Sequence, residues 1–245
     1  MNCIGFQLGI QRGITKKNKD KLCNNAGFFP HSPSDEALIK WSKIYSDSLS
    51  VVDGFATFDT HSEDYVINRY CPNATLMQLV SLEPYFYDKP WSRALKGKKV
   101  LVIHPFEDTI KKQYEIHDRI FTDKDVLPDF ELRTIKAVQS VAGEPTEYAS
   151  WFDALEYMKT QIEDCDFDIA IIGCGAYALP LGAHIKQLGK KAVLMAGPTQ
   201  LLFGIMGSRW EQSGIMKDYV NEFWTKPSEK ERPKNAKKVE GVCYW

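Results

Sequence analysis

Two glycines at adjacent odd positions, Gly173 and Gly175, begin a segment with the residue types of a phosphate-binding loop. Ala178 follows three positions later, and the segment lies between an apolar run and a helical pattern. In such a turn the first glycine permits the bend, and the second lets the backbone approach a phosphate. Ala176 and Tyr177 would add amide groups at the positive end of the next helix. The sequence predicts a nucleotide-facing loop. The alternative is a tight turn whose glycines serve only helix–sheet packing.

His104, Pro198 and Gln200 are also expected at the carboxyl edge of the sheet, where ligands of such folds bind. His104 directly follows the apolar run 99–103 and is a candidate to position a phosphate or to act as an acid or base. Pro198 and Gln200 follow a later strand, and Arg209 has a side chain suited to a diphosphate. The alternatives are a histidine bonded to the backbone and an arginine in a surface ion pair.

Two carboxylates of the N-terminal half, Asp53 and Glu83, are candidates for a catalytic base or a metal ligand. Each ends or interrupts a predicted strand, and a carboxylate there can take a proton from an acceptor hydroxyl. The alternative is a solvated carboxylate in a turn. Closely spaced acidic pairs elsewhere are expected by chance in a chain with 32 Asp and Glu residues. The metal ligands are therefore left unknown.

The elements that would position these residues alternate between strand and helix. Continuous apolar runs predict strands buried on both faces, and helical spacing predicts amphipathic helices between them. The predicted strands of the C-terminal half are 99–103, 130–138, 168–172 and 191–195. The predicted helices are 107–121, 150–165, a segment ending at 188 with Gly189 as its cap, and 199–206. This alternation predicts an α/β protein with a Rossmann-like three-layer fold, a mostly parallel sheet and βαβ crossovers.

The N-terminal half is less regular but continues the α/β pattern. A helix capped by Ser34 is expected to run to residue 45, followed by strand 51–58, helix 61–70 and strand 75–80. No linker interrupts the chain, so residues 1–245 are predicted to form a single α/β domain. Its predicted parts are an irregular N-terminal extension over 1–33, a Rossmann-like core over 98–210 and a polar, solvated tail over 226–245.

The composition narrows the class of partner. The chain has 31 Lys and Arg against 32 Asp and Glu, so no global field gathers nucleic acid, and nucleic acid is not expected as a partner. The six cysteines include no C-x-x-C pair, which favours free thiols in a reducing compartment. No signal peptide and no apolar stretch of about 20 residues is apparent, so we expect a cytoplasmic protein without a transmembrane segment.

The place of the glycine loop in the chain argues against NAD. The strand after it ends without the Asp or Glu that binds ribose hydroxyls. The loop also follows the third regular strand, whereas NAD-dependent dehydrogenases carry it after the first. The same order argues against S-adenosylmethionine, so a methyltransferase or an oxidoreductase is the weakest of the alternatives.

Several segments together resemble proteins encoded among bacterial and viral surface-polysaccharide genes. These segments are 24–30 (NNAGFFP), 90–91 (PW), 98–106 (KKVLVIHPF), 168–186 (DIAIIGCGAYALPLGAHIK), 189–192 (GKKA), 200–210 (QLLFGIMGSRW) and 243–245 (CYW). Such proteins are in turn similar to the GT-D type of glycosyltransferase, which has a Rossmann-like fold and uses nucleotide-sugar donors. The second likeness rests mainly on the strand–Gly-x-Gly–helix–Gly-Lys–strand segment.

The resemblance implies a nucleotide-sugar-dependent glycosyltransferase of glycan or surface-polysaccharide biosynthesis. Its donor would be a UDP- or GDP-linked sugar, its acceptor a glycan, and Mn²⁺ or Mg²⁺ a candidate metal for the diphosphate. GT-D chains also carry an early Arg-x-Gly-x-x-Glu element. Here Arg12-Gly13 is followed by residues 14–16 without a matching acid. That departure motivates an alternative, a non-catalytic nucleotide-binding or assembly module of a glycan pathway.

Overall fold

A computed structural model of the protein describes residues 15–60 and 63–245. Within these residues six strands form two parallel sheets. The strands are β1 (Gly54–Thr57), β2 (Thr75–Gln78), β3 (Lys99–His104), β4 (Glu131–Lys136), β5 (Ile169–Ile172) and β6 (Lys191–Leu194). β1 and β2 pair with each other, and the other four form one sheet in the order β4-β3-β5-β6.

Helices connect and cover these strands. In the described residues they are α1 (Lys16–Ala26), α2 (Asp35–Leu49), α3 (Glu63–Tyr70), α4 (Glu107–Tyr114), α5 (His117–Ile120), α6 (Trp151–Glu163), α7 (Ala178–Gln187), α8 (Thr199–Leu202) and α9 (Ser208–Ser213). None of them combines the length and apolar character needed to cross a bilayer.

The four-stranded sheet is buried on both faces. Along β3, Val100 and Val102 belong to one hydrophobic layer, with Ile110 of α4, while Leu101 and Ile103 belong to the other. Helices α2, α6 and α7 supply the second layer. Because successive side chains of a strand point to opposite faces, this alternation gives helix–sheet–helix layering. The predicted α/β, Rossmann-like three-layer fold with parallel βαβ units is confirmed.

The order of the strands creates a point where the chain reverses direction across the sheet. From β3 the chain moves to β4 on one side, then crosses back through α6 to β5 on the other side of β3. The connections after β3 and after β5 therefore leave the sheet in opposite directions. In parallel sheets the crevice beyond the carboxyl ends of two such strands is where ligands bind.

Local signals fixed several helix ends as predicted. The Ser34 hydroxyl accepts a hydrogen bond from the Ala37 amide at 3.2 Å, and Ser150 caps α6 through the Asp153 amide at 3.3 Å. Gly189 follows α7 with a φ of 76°. The helix expected over 107–121 is instead divided into α4 and α5, because the backbone between them leaves helical geometry.

The prediction of an irregular extension over 1–33 is wrong for its described part, residues 15–33. Residues 1–33 were expected to be irregular, yet Lys16–Ala26 form α1, which is capped by Thr15 and ends at Gly27 with a φ of 80°. Only Leu22, Cys23 and Ala26 of this helix face the core. The segment therefore lacks the apolar periodicity from which a helix would be predicted. Residues 1–14, including Arg12-Gly13, lie outside the described part.

The tail expected over 226–245 is not a solvated tail. Glu231, Ala236, Val239 and Cys243 are buried, and the aromatic end of the chain packs into the same layer as α4. The Glu231 carboxylate accepts hydrogen bonds from the amides of Asp108 at 2.9 Å and Thr109 at 3.2 Å, at the start of α4. A carboxylate there accepts hydrogen bonds from the unpaired amides of a helix N-terminus. It attaches the polar segment 226–245 to α4.

Replacing this carboxylate tests the attachment. Glu231→Ala leaves two amides and the Thr109 hydroxyl without their acceptor, so we expect the free energy of unfolding to fall by about 3 kcal/mol. Glu229→Ala is the matched control, because Glu229 lies in the same turn with an 88% exposed side chain. Urea unfolding measures both variants. Equal stability of the two would contradict the role of Glu231.

Candidate functional site

The reversal point is held together by backbone hydrogen bonds between the ends of β3 and β5. Ile103 pairs with Ile172, and the Gly173 amide donates to the Ile103 carbonyl at 3.0 Å. The predicted glycine loop and His104 therefore leave the sheet side by side. Sequence placed both at the carboxyl edge, and the strand order makes them neighbours.

A cavity of about 100 Å³ lies at this edge. Turns that follow all four strands of the sheet line it, together with the end of α1 and the last two residues of the chain. The lining residues are Asn25, Ala26, Gly27, His104, Pro105, Phe106, Ala137, Val138, Gln139, Ser140, Val141, Gly173, Cys174, Gly175, Tyr177, Ala196, Gly197, Gln200, Tyr244 and Trp245. None is a Lys, Arg, Asp or Glu.

The loop itself presents free donors. Gly175–Tyr177 form a single 3₁₀ turn that leads into α7, and the Tyr177 amide donates to the Cys174 carbonyl at 3.3 Å. Within the described residues, the amides of Cys174, Gly175 and Ala176 donate no hydrogen bond. The first amides of a helix have no partner inside it and carry its positive dipole end. Gly175 is exposed, so this end of α7 is open.

Packing within the chain accounts for both glycines. A Cβ on Gly175, whose φ is 59°, would lie 2.6 Å from the Ala26 carbonyl oxygen. A Cβ on Gly173 would lie 2.6 Å from the Ala196 carbonyl oxygen and 2.7 Å from the His104 ring. The packing alternative thus explains why glycine occupies each position. The case for a ligand rests on the open amides and the cavity, not on the glycine pattern.

Two neighbours fix the rest of the loop. The Ala176 carbonyl accepts a hydrogen bond from the Tyr45 hydroxyl at 2.6 Å, and Ala176 does not line the cavity. The Tyr177 ring stacks on Trp151 at 5.1 Å, and its hydroxyl lies 3.5 Å from the Ser140 hydroxyl. Tyr177 therefore forms a fixed wall of the cavity, and only the backbone of the loop is available as a donor.

His104 is a buried, neutral ring. Its Nδ1 accepts a hydrogen bond from the Phe106 amide at 3.0 Å, and burial lowers its pKa to about 3. The proton of the neutral ring therefore lies on Nε2, which has no hydrogen-bond partner among the described residues. The predicted acid or base role does not fit a ring that stays uncharged at neutral pH. The structure contains the alternative, a histidine bonded to the backbone, and its Nε2–H remains as an unused donor.

Gln200 lines the cavity beside His104, while Pro198 does not. Gln200 is 1% exposed, and its Nε2 donates to the carbonyls of Ile205 and Tyr244, both at 3.1 Å. Its Oε1 is buried without a partner. Pro198 begins the short helix α8. A buried acceptor without a partner is costly, and a ligand donor at this place would offset that cost.

Arg209 does not reach the cavity. Its guanidinium pairs with the Glu240 carboxylate and lies 5.3 Å from the centre of the Tyr244 ring. Glu240 also accepts a hydrogen bond from the Asn25 amide at 3.0 Å. The surface ion-pair alternative is therefore correct, and Arg209 supports the wall formed by Tyr244.

The two N-terminal carboxylates lie elsewhere. Asp53 pairs with Lys186 at 2.5 Å. Lys186 is at the far end of α7, about 12 Å along the helix from its open N-terminus. Glu83 hydrogen-bonds the buried Tyr85, and burial raises the pKa of Glu83. Neither lines the cavity, so the structure does not bring these two carboxylates to this site, and a role for them as base or metal ligand stays a prediction.

Sequence reasoning missed three parts of the lining. Asn25 to Gly27 sit at the end of a helix that was not predicted, and Ser140 follows β4 in an irregular turn. Tyr244 and Trp245 belong to the segment 226–245, which was predicted to be a solvated tail. The signal that was present is the segment 24–30, which shares the resemblance described above with the glycine loop. Among the described residues, no group of three or more His, Cys, Asp or Glu is arranged to hold a metal ion.

Comparison of the chain with protein-family models, with curated proteins and with solved structures found no match.

The close approach at Gly175 gives a stability prediction. Gly175→Ala adds both a left-handed conformation for alanine and a clash with backbone, so we expect a loss of about 3 kcal/mol. Gly189→Ala is the control, since Gly189 has a φ of 76° but open space around it, and about 1 kcal/mol is expected. Thermal unfolding compares them, and equal losses would contradict the packing of Gly175 against Ala26.

The neutral state of His104 gives a pH prediction. Because its native pKa is about 3 and an unfolded histidine titrates near 6.5, the unfolded chain binds a proton that the native protein excludes. Stability should therefore fall as pH drops from about 6.5 towards 3. His104→Gln should remove this part of the pH dependence. An NMR titration of the histidine rings gives the direct check, and a His104 pKa near 6.5 would contradict the assignment.

Proposed function

We propose that the protein binds a nucleotide sugar at the carboxyl edge of its four-stranded sheet and acts as a glycosyltransferase of glycan or surface-polysaccharide synthesis. The observation that carries this proposal is the open N-terminus of α7, with the unbonded amides of Cys174 and Gly175 beside a cavity. Backbone amides and a helix dipole at this place form a common anion site. The resemblance to GT-D glycosyltransferases adds the donor class, a UDP- or GDP-linked sugar.

Sugar transfer needs stabilisation of a leaving diphosphate and a base for the acceptor. The amides at the start of α7 supply the first requirement. They are preorganised, because the Tyr45 hydroxyl and the packing of Gly175 hold the loop. Helix α4, which follows β3, offers no second anion site since Glu231 occupies its N-terminus. The diphosphate is therefore assigned to α7 alone.

The residues present do not form a metal site at the cavity. Its lining contains no Asp or Glu, and carboxylate oxygens are the ligands that Mg²⁺ and Mn²⁺ prefer. The proposal thus routes no step through a metal. It also implies a cytoplasmic location, where nucleotide sugars are made and where the thiols of Cys71, Cys165, Cys174 and Cys243 stay reduced.

The absence of a carboxylate from the lining favours a second candidate function. Without a base among the lining residues, the same site would bind a nucleotide sugar but not transfer its sugar. The protein would then be a binding or assembly module of a glycan pathway. Binding without turnover across a panel of glycan acceptors distinguishes this candidate from the enzyme.

Calorimetric titration with UDP- and GDP-sugars, with and without Mn²⁺, tests the proposal. We expect binding of at least one of them, and at least tenfold weaker binding to His104→Leu, which has no donor in place of Nε2. His184→Leu is the control, because His184 lies on α7 and contacts Glu163 at 3.0 Å, away from the cavity lining. No binding of any nucleotide at millimolar concentration would refute the proposal.

A further inference from the structure

The interior of the cavity differs in chemistry from its mouth. No charged side chain lines the cavity, and His104 stays neutral. An unpaired phosphate buried there would lose its hydration without gaining a cation. At the mouth, by contrast, Gly175 is exposed and the amides of the loop are free.

The interior nevertheless holds unused hydrogen-bonding groups of both kinds. His104 offers a donor at Nε2, and Gln200 has a buried Oε1 without a partner. The Thr199 hydroxyl is a further buried oxygen without a partner, next to Gly173. The orientation of the Gln200 amide is fixed, because its Nε2 already donates to two carbonyls. The diphosphate of a nucleotide sugar has no proton to give this acceptor at neutral pH, whereas a hydroxyl or ring N–H has one.

The size of the cavity points the same way. Sites for whole small-molecule ligands span about 300–1,000 Å³, and this cavity holds about 100 Å³. Only a part of a nucleotide sugar enters such a space. The rings of Phe106, Tyr244 and Trp245 supply apolar walls, and these suit the flat face of a ring.

We propose that the interior of the cavity is a subsite for an uncharged ring that carries hydroxyl or N–H groups. The ring would donate a hydrogen bond to Gln200 Oε1 and accept one from His104 Nε2. The phosphates of the ligand then stay at the mouth, on the amides of the loop. This inference rests on the proposed function in one respect, namely that the ligand carries both parts. The ring is the sugar or the base, and the two share this chemistry.

The groove beyond Asn25 is consistent with phosphates at the mouth. It is an open depression that shares Asn25 with the cavity and is lined by Lys16, Lys21 and Lys238, with Asp20, Asn24 and Glu240. Three lysines against two carboxylates leave it with excess positive charge. The positive charge next to the neutral cavity therefore lies in this groove.

NMR of the His104 ring with three probes tests the subsite. Uridine or methyl α-glucoside at millimolar concentration should shift the His104 signals, and the one that does so identifies the ring. Inorganic pyrophosphate should shift the loop amides but not the His104 ring. A shift of the ring by pyrophosphate, with none from the neutral probes, would overturn the inference while leaving nucleotide binding intact.

A pair of glutamine variants gives the second test, with UDP-glucose as the probe. Gln200→Leu should weaken binding at least tenfold. Gln113→Leu should change it less than twofold, because Gln113 is also buried and bonds three backbone carbonyls but does not line the cavity. Equal effects of the two would overturn the role of Gln200. If Gln200→Leu fails to fold, the NMR result decides.

The outcomes separate the subsite from the proposed function. Shifts of His104 by a neutral probe, with no binding of any UDP- or GDP-sugar, would support the subsite and refute the nucleotide-sugar function. Failure of the neutral probes, of pyrophosphate and of every UDP- and GDP-sugar to bind would refute both.

Discussion

The parallel pairing of β3 with β5 is the contact on which the site depends. It brings two turns that are separated by about 70 positions in the chain to one edge, with Gly173 bonded to Ile103. Parallel strands require crossovers that cover both faces, so the same pairing buries the sheet and leaves only its ends free. Because the turns leave in opposite directions, a crevice between them follows from the strand order.

The chain then fills most of that crevice with its own segments. The end of α1 packs on Gly175, and Ala196 and Thr199 pack on Gly173. The C-terminal segment closes another side, where Gln200 holds the Tyr244 carbonyl and the Trp245 ring nitrogen donates to the Glu231 carbonyl at 3.2 Å. Glu231 meanwhile covers the start of α4. Of the two helix N-termini beside β3 and β5, only that of α7 is left open, and this limits an anion to one place.

Much of the fold could be predicted because its signals are local. Apolar runs gave the strands of the four-stranded sheet, and capping residues such as Ser34 and Ser150 gave helix starts. The predictions that the structure does not support concern residues with distant partners. Asp53 pairs with Lys186, and Glu231 accepts hydrogen bonds from amides more than a hundred positions earlier. The polar composition of 226–245 therefore predicted a solvated tail where the structure has a buried one. Asp53, seen without its partner Lys186, was predicted to be a base. His104, Gly175 and Gln200 were predicted at the carboxyl edge of the sheet and lie there, because the ends of parallel strands share an edge. Their role in binding stays a prediction.

A crystal structure of the protein with UDP-glucose tests the central claim most directly, because it locates both parts of one ligand. The account predicts a diphosphate oxygen about 3 Å from the Gly175 amide nitrogen, with an uncharged ring of the ligand between His104 and Gln200. A diphosphate bound away from the start of α7, or one lodged inside the cavity with the rings outside, would contradict it.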